Sequence, residues 1–272
     1  MQRSPPGPAP GPDRPPCPFV TGCSFMDFTA LAIILAAIVV GSFAKGLTGI
    51  GLPLIAIPTV GAFIGMEQAI VTMTIPVFVS NVWIVWGYRR LFRHIPGLKL
   101  SLAVAACGTV LGTAVLVLLT ERMLVTLMAT WVGLYLINVW LRPGWRLEGK
   151  AAKYGSPVFA LLGGISQGAT GIAGPPVAVW MHSFRLTGEA FVFGASIMFL
   201  VIAGVHLIGV TGAGLMDRTR LLHGIIAAVP TVIFVELGMR TTKKISPKLF
   251  NRIILAFVVA MECRLIYKAV VG

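Results

Sequence analysis

The chain carries little charge. Of its 272 residues only 11% are Asp, Glu, Lys or Arg, while 57% are hydrophobic and the mean hydropathy is +0.90. A soluble globule has about 25% charged residues, so this chain lacks the polar groups to cover a soluble surface. Acids are scarcest, 9 against 22 basic residues, which leaves a net charge of +13. The basic residues fall in short loops between apolar runs, a pattern of membrane topology rather than of a nucleic-acid surface. Four cysteines, Cys17, Cys23, Cys107 and Cys263, show no metal-ligand spacing. Cys17 and Cys23 can pair if exported, while Cys107 and Cys263 read as apolar residues in helices. Period-two alternation is missing, which argues against a barrel. His-Glu-x-x-His, Gly-x-Ser-x-Gly and the nucleotide-binding phosphate loop are absent. No enzyme, metal or cofactor is therefore expected, and ATP-driven transport would need a separate subunit.

What the chain does have is continuous apolar runs of about 20 residues, the length that crosses hydrocarbon. The expected fold is an all-α polytopic membrane protein whose partner is the lipid bilayer. Ten apolar segments are read, at 26–45, 52–66, 68–88, 98–120 and 123–142, then 155–168, 172–184, 189–210, 219–239 and 249–271. The second, sixth and seventh are short and read as half-helices, buried helices or re-entrant hairpins. Residues 1–25 are a proline-rich, disordered leader without the apolar stretch of a signal peptide. They read as a tail without function, or as the product of a start codon assigned upstream of Met26.

Loop charge sets the sides. Arg89, Arg90, Arg93 and Lys99, beside Trp83, Trp86 and Tyr88, mark a cytoplasmic loop and its aromatic belt. Glu121 and Arg122 form an outer loop. The linker 143–154 is cytoplasmic, from Arg142, Arg146, Lys150 and Lys153 against Glu148. Asp217, Arg218 and Arg220 balance and lie outside, while Arg240, Lys243, Lys244, Lys248 and Arg252 lie inside. Both termini then fall outside, with Arg264 and Lys268 snorkelling to the outer interface.

The two halves, 26–142 and 155–272, repeat each other. "KGLTGIGLP" at 45–53 and "QGATGIAGP" at 167–175 are 122 residues apart. That offset carries Gly46, Thr48, Gly49, Ile50 and Pro53 onto Gly168, Thr170, Gly171, Ile172 and Pro175. It also carries Gly41 onto Gly163, Ala56 onto Ala178, Glu67 onto Glu189, Ile75 onto Ile197 and Gly87 onto Gly209. Each half has five segments, an odd number, and the charge bias of matching loops flips. The pattern is an inverted-topology repeat, as in many secondary transporters.

Glycine and proline break the helix inside each nonapeptide. Such breaks persist in a membrane only where protein buries them or a wet cavity is lined by them. A helix restarting there points free N–H groups and a positive dipole end at the cavity, which suits an anion. The candidate substrate-binding set is Lys45, Gly46, Thr48, Gly49, Gly51, Pro53, Gln167, Gly168, Thr170, Gly171, Gly174 and Pro175. Thr48 and Thr170 would donate hydroxyl hydrogen bonds, Lys45 a charge and Gln167 a neutral donor. The plainer alternative is that the small residues only let helices pack closely, as Gly108 and Gly112 are read to do. Lys45 has its own alternative, an interfacial place at a hairpin end.

These residues are also where the chain resembles the TauE/SafE family, the toluenesulfonate uptake permease family of anion transporters. "GSFAKGLTGIGLP" and "GGISQGATGIAGPP" are similar to its paired signatures, as is the late "ELGMRTTKKISPKLFNRII". The resemblance runs from about Met26 to the end. Leu52 departs from the pattern, where another glycine is expected. The resemblance implies transport of small sulfur-containing or organic anions, such as sulfite, sulfonates or sulfoacetate, coupled to protons or another gradient. The expected setting is the bacterial cytoplasmic membrane, and a homo-oligomer is compatible with it. An anion channel of the same architecture and a non-transporting scaffold are the competing readings.

Glu67 and Glu189 open the third and eighth segments. They either complement the helix dipole, or act as proton carriers or gate partners of a basic residue. Asn81, Asn138 and His206 read as buried interhelical hydrogen-bonding residues, with His206 near the outer end of its helix. Glu236 is spaced to pair with Arg240, and Glu262 with a neighbour that the sequence does not name.

Overall fold

Backbone groups in hydrocarbon must be satisfied within the segment, so the apolar runs fold as helices. The computed structural model describes residues 28–49, 51–90, 98–141, 149–183 and 188–241, with scattered positions between 255 and 267. Among these there is helix and no strand. In order the helices are α1 Phe28–Thr48, α2 Gly51–Ile64, α3 Met66–Gly87, α4 Leu98–Leu118, α5 Glu121–Leu141, α6 Gly149–Thr170, α7 Gly174–Ser183, α8 Gly188–Gly212 and α9 Arg218–Thr241. Five of them, α1, α3, α4, α8 and α9, are long and apolar enough to cross a membrane. The leader, Arg93, Arg142, Arg146, Glu148, Lys243, Lys244, Lys248, Arg252 and Lys268 lie outside the described residues. So do the side chains of Asn138, Lys150, Lys153 and Pro175.

The second and seventh segments are the short helices α2 and α7, of 14 and 10 residues. The sixth is not short. Its helix α6 has 22 residues, because the backbone stays helical through the polar stretch at Lys150 and Lys153 that ends the apolar run.

Each nonapeptide holds one sharp turn. α1 ends at Gly49, φ 82°, whose N–H donates to Lys45 O at 2.7 Å. α6 ends at Gly171, φ 72°, whose N–H donates to Gln167 O at 2.8 Å. These are matching left-handed glycine caps, a conformation that disfavours any Cβ. The chain then doubles back, α1 on α2 and α6 on α7.

The long-range packing crosses between halves. α1 lies on α9, and α6 lies on α4. Both crossings bring backbones together at glycines. A Cβ on Gly46 would sit 2.2 Å from Val235 O, and one on Gly238 2.4 Å from Phe43 O. On the other side, Gly112 would meet Ile165 O at 2.1 Å, Gly168 would meet Thr109 O at 2.4 Å, and Gly108 would meet Leu161 O at 2.5 Å. Gly108 and Gly112 are packing residues, as read from the sequence. Gly46 and Gly168 do the same task, which is the close-packing alternative read for the two nonapeptides. Between the two crossings, α3 packs on α8.

The ends of the bundle are distinct. At one end Glu121 accepts the N–H groups of Met66 at 2.7 Å and Glu67 at 3.3 Å, and Glu67 pairs with Arg220 at 2.9 Å. At the other, Trp83 Nε1 donates to Glu236 at 3.0 Å, and Glu236 pairs with Arg240 at 2.7 Å, the spacing expected. Burial, then the carboxylates of Glu189 and Glu236, hold the Tyr88 phenol above its ordinary range. Glu67 and Glu189 therefore lie at opposite ends. Arg264 stacks on Phe63 at the end of α2, 3.8 Å from the ring centroid.

Candidate functional site

Lys45 sits in the last turn of α1 and is completely buried. That removes the interfacial alternative. Its Nζ donates to Asn81 Oδ1 on α3 at 2.8 Å and lies 5.1 Å from the ring centroid of Phe199 on α8. Asn81 Nδ2 donates to Val77 O at 2.7 Å, which fixes the amide with its oxygen toward the ammonium. Among the described residues no carboxylate pairs with Lys45. Burying an ammonium costs several kcal/mol even after relaxation. One neutral amide and one ring face offset part of that, and an anion would offset the rest.

Gln167 occupies the matching place in α6. It is 1% exposed, and its Oε1 has no hydrogen-bond partner among the described residues. The turn that follows is braced by hydroxyls. Ser166 Oγ donates to Ile172 O, Thr170 Oγ1 donates to Ser166 O at 2.8 Å, and Ile172 N–H reaches Thr170 Oγ1 at 3.3 Å. In the first copy Thr48 Oγ1 donates to Ala44 O at 2.9 Å. Both threonines thus turn a hydroxyl hydrogen back to the carbonyl four residues earlier, as threonines in helices often do. In this conformation they hold the helix ends and do not present that hydrogen to an anion. The restarting helices also offer fewer donors than a plain helix start. Pro53, Pro175 and Pro176 have no N–H, so Gly51 and Leu52 supply the first turn of α2, and Gly174 that of α7.

Gly49 lies against Val192 of α8, and Gly171 against Ile70 of α3, with an added Cβ 3.5 Å from the nearest atom of each. Ile70 and Val192 are themselves 122 residues apart, so the constant offset extends to the contacts. Both turns flank the α3–α8 pair that carries Asn81 and Phe199. The family model for the sulfite exporter TauE/SafE matches residues 33–265. The chain belongs to the TauE/SafE family. This is a family of transporters rather than of enzymes, and with five apolar helices of spanning length the protein is a multi-pass membrane protein. No curated protein and no solved structure matches the chain.

Two other polar residues of this TauE/SafE chain, His206 and Glu262, are also buried. His206 is buried and its Nδ1 meets Thr113 Oγ1 of α4 at 3.0 Å, the interhelical bond expected of it. Thr113 Oγ1 also donates to Thr109 O at 2.9 Å. Glu262 is buried beside Gly133 of α5, and its Oε2 has no partner among the described residues. Sequence reasoning read Asn81 as a buried interhelical hydrogen-bonding residue, which its bond to Lys45 bears out, but did not count it in the site. A lone amide within an apolar span was the available signal. Phe199 and Ser166 gave none, since a phenylalanine or serine in such a helix is unremarked.

Proposed function

We propose that the protein is a secondary carrier of small sulfur-containing or organic anions, of the sulfite, sulfonate and sulfoacetate class, working by alternating access and coupled to an ion gradient. Lys45 carries the proposal, as a fully buried lysine without a carboxylate partner among the described residues. The anion sits between Lys45, Asn81 and Gln167, with Gly49, Gly51, Pro53, Gly171, Gly174 and Pro175 shaping the two turns and the α2 and α7 starts completing the positive field. Thr48 and Thr170 hold the turns. Gly46 and Gly168 set the helix crossings.

Residues 26–142 and 155–272 act as two inverted repeats joined by a cytoplasmic linker, 143–154. Two features favour this reading: the Glu67 and Glu189 ends lie opposite, and the Gly49–Val192 and Gly171–Ile70 contacts match. Movement of one repeat against the other exposes the site to each side of the inner membrane in turn, with both termini outside. The Glu67–Arg220 pair, with Asp217 3.4 Å from Arg220, closes the outer end.

Counterflow of labelled sulfite or sulfonate in proteoliposomes tests the carrier. Saturable counterflow that Lys45→Gln removes is the expected result. Channel-like conductance without counterflow, or no flux and no binding, would replace it with a channel or a scaffold.

A further inference from the structure

The offset gives the site two equivalent places, and only one of them is charged. Lys45 and Gln167 each stand one turn before a left-handed glycine, Gly49 or Gly171, and those glycines abut the same α3–α8 pair. Among the described residues Lys45 is the only buried lysine or arginine. Its neighbours, Asn81 and Phe199, are neutral. Gln167 brings a buried amide whose oxygen is unpartnered among the described residues, a group that is polar but not charged.

We propose that the site selects singly charged anions over doubly charged ones of the same shape. This rests on the reading of Lys45 as the anion's partner. One formal positive charge neutralises one negative charge. A dianion would bring a second charge into a place that holds only a neutral amide, and an unpaired charge taken out of water is strongly penalised. The Gln167 oxygen, unpartnered among the described residues, does not separate methanesulfonate from sulfate, since neither carries a donor hydrogen, but it can accept from hydrogensulfite, which does. Hydrogensulfite and organic sulfonates with a single charge meet the charge condition. Sulfate fails it, and so does sulfoacetate with its second, carboxylate charge, which narrows the proposed substrate class.

Methanesulfonate and sulfate separate charge from shape, since both are tetrahedral and differ by a methyl in place of a charged oxygen. The test is a thermal-shift titration of the detergent-purified full chain with sodium methanesulfonate and sodium sulfate, matched in ionic strength with sodium chloride. Methanesulfonate is expected to act at concentrations about ten-fold below those of sulfate. Gln167→Lys, which supplies the second charge, is expected to narrow that gap to about two-fold. Should that variant not fold, the wild-type titration decides alone. Equal or stronger stabilisation by sulfate overturns the charge selectivity and leaves the anion site standing. Silence from both anions overturns the site and the selectivity together. Methanesulfonate stabilisation that Lys45→Gln leaves unchanged puts the anion elsewhere and overturns the inference.

Discussion

The turn after Lys45 and the turn after Gln167 have the same backbone and different chemistry. Each is a glycine cap closed by an N–H bond to the carbonyl four residues back, 2.7 Å in one and 2.8 Å in the other. The first is built around a cation with a fixed partner, Asn81. The second is built around a neutral amide and laced by Ser166 and Thr170. At the position of Ser166 the first copy has Ala44, and at that of Asn81 the second half has Ala203. The two turns are matching frames, with the lysine in one and the hydroxyl bracing in the other.

The largest expected break in this comparison is at the charge. Lys45→Gln makes the two places chemically equal and should weaken anion binding roughly 100-fold, while Gln167→Ala should cost less than about ten-fold. Titration of both variants with one sulfonate reads the difference. Next come the crossings. Gly46→Ala and Gly168→Ala each force a Cβ against a carbonyl and should each destabilise by about 1–3 kcal/mol. Matched losses in thermal unfolding would make the crossings equivalent, and a tolerated alanine in one would show that crossing to be looser.

The caps themselves are unequal. An alanine at either glycine meets the left-handed penalty of roughly 1–2 kcal/mol. Gly171→Ala also drives a Cβ to 2.5 Å from Ile57 Cδ1, whereas Gly49→Ala has room beside Val192. Gly171→Ala should therefore melt at the lower temperature of the two. Ser166→Ala, which copies Ala44 into the second turn, leaves Ile172 O with the 3.4 Å contact of Thr170 and should cost about 1 kcal/mol. The smallest effect is at the Glu67 end of the bundle. Glu67→Gln removes an ion pair with a half-exposed acid and should change stability by less than about 1 kcal/mol. A larger change in transport than in melting would mark that pair as a gate.

Much of this frame was legible in the sequence. The glycines at a fixed offset located both turns, and Glu67 and Glu189 were placed at helix starts because acids favour that end. The offset identifies equivalent residues but not contacts, so the pairing of α1 with α9 and of α6 with α4 stayed hidden. The length of α6 was hidden by polar residues that a helix accommodates as readily as a loop does. Lys45 was ambiguous because a lysine near the end of an apolar run reads the same whether it snorkels or turns inward. Its burial is decided by Asn81, 36 residues away. The threonines were assigned to an anion on chemistry alone. Their preference for the preceding carbonyl is a local geometric effect that a motif does not display.

The exchanged crossings bear on how the chain is made. α6 meets its partner α4 as soon as it emerges, since α4 has already been synthesised. α1 must wait for α9, the last of the nine labelled helices, before the glycine face at Gly46 is covered. For most of translation the helix that carries Lys45 therefore has an open groove in the membrane, and assembly of the proposed anion site is deferred until nearly the whole polypeptide has left the ribosome.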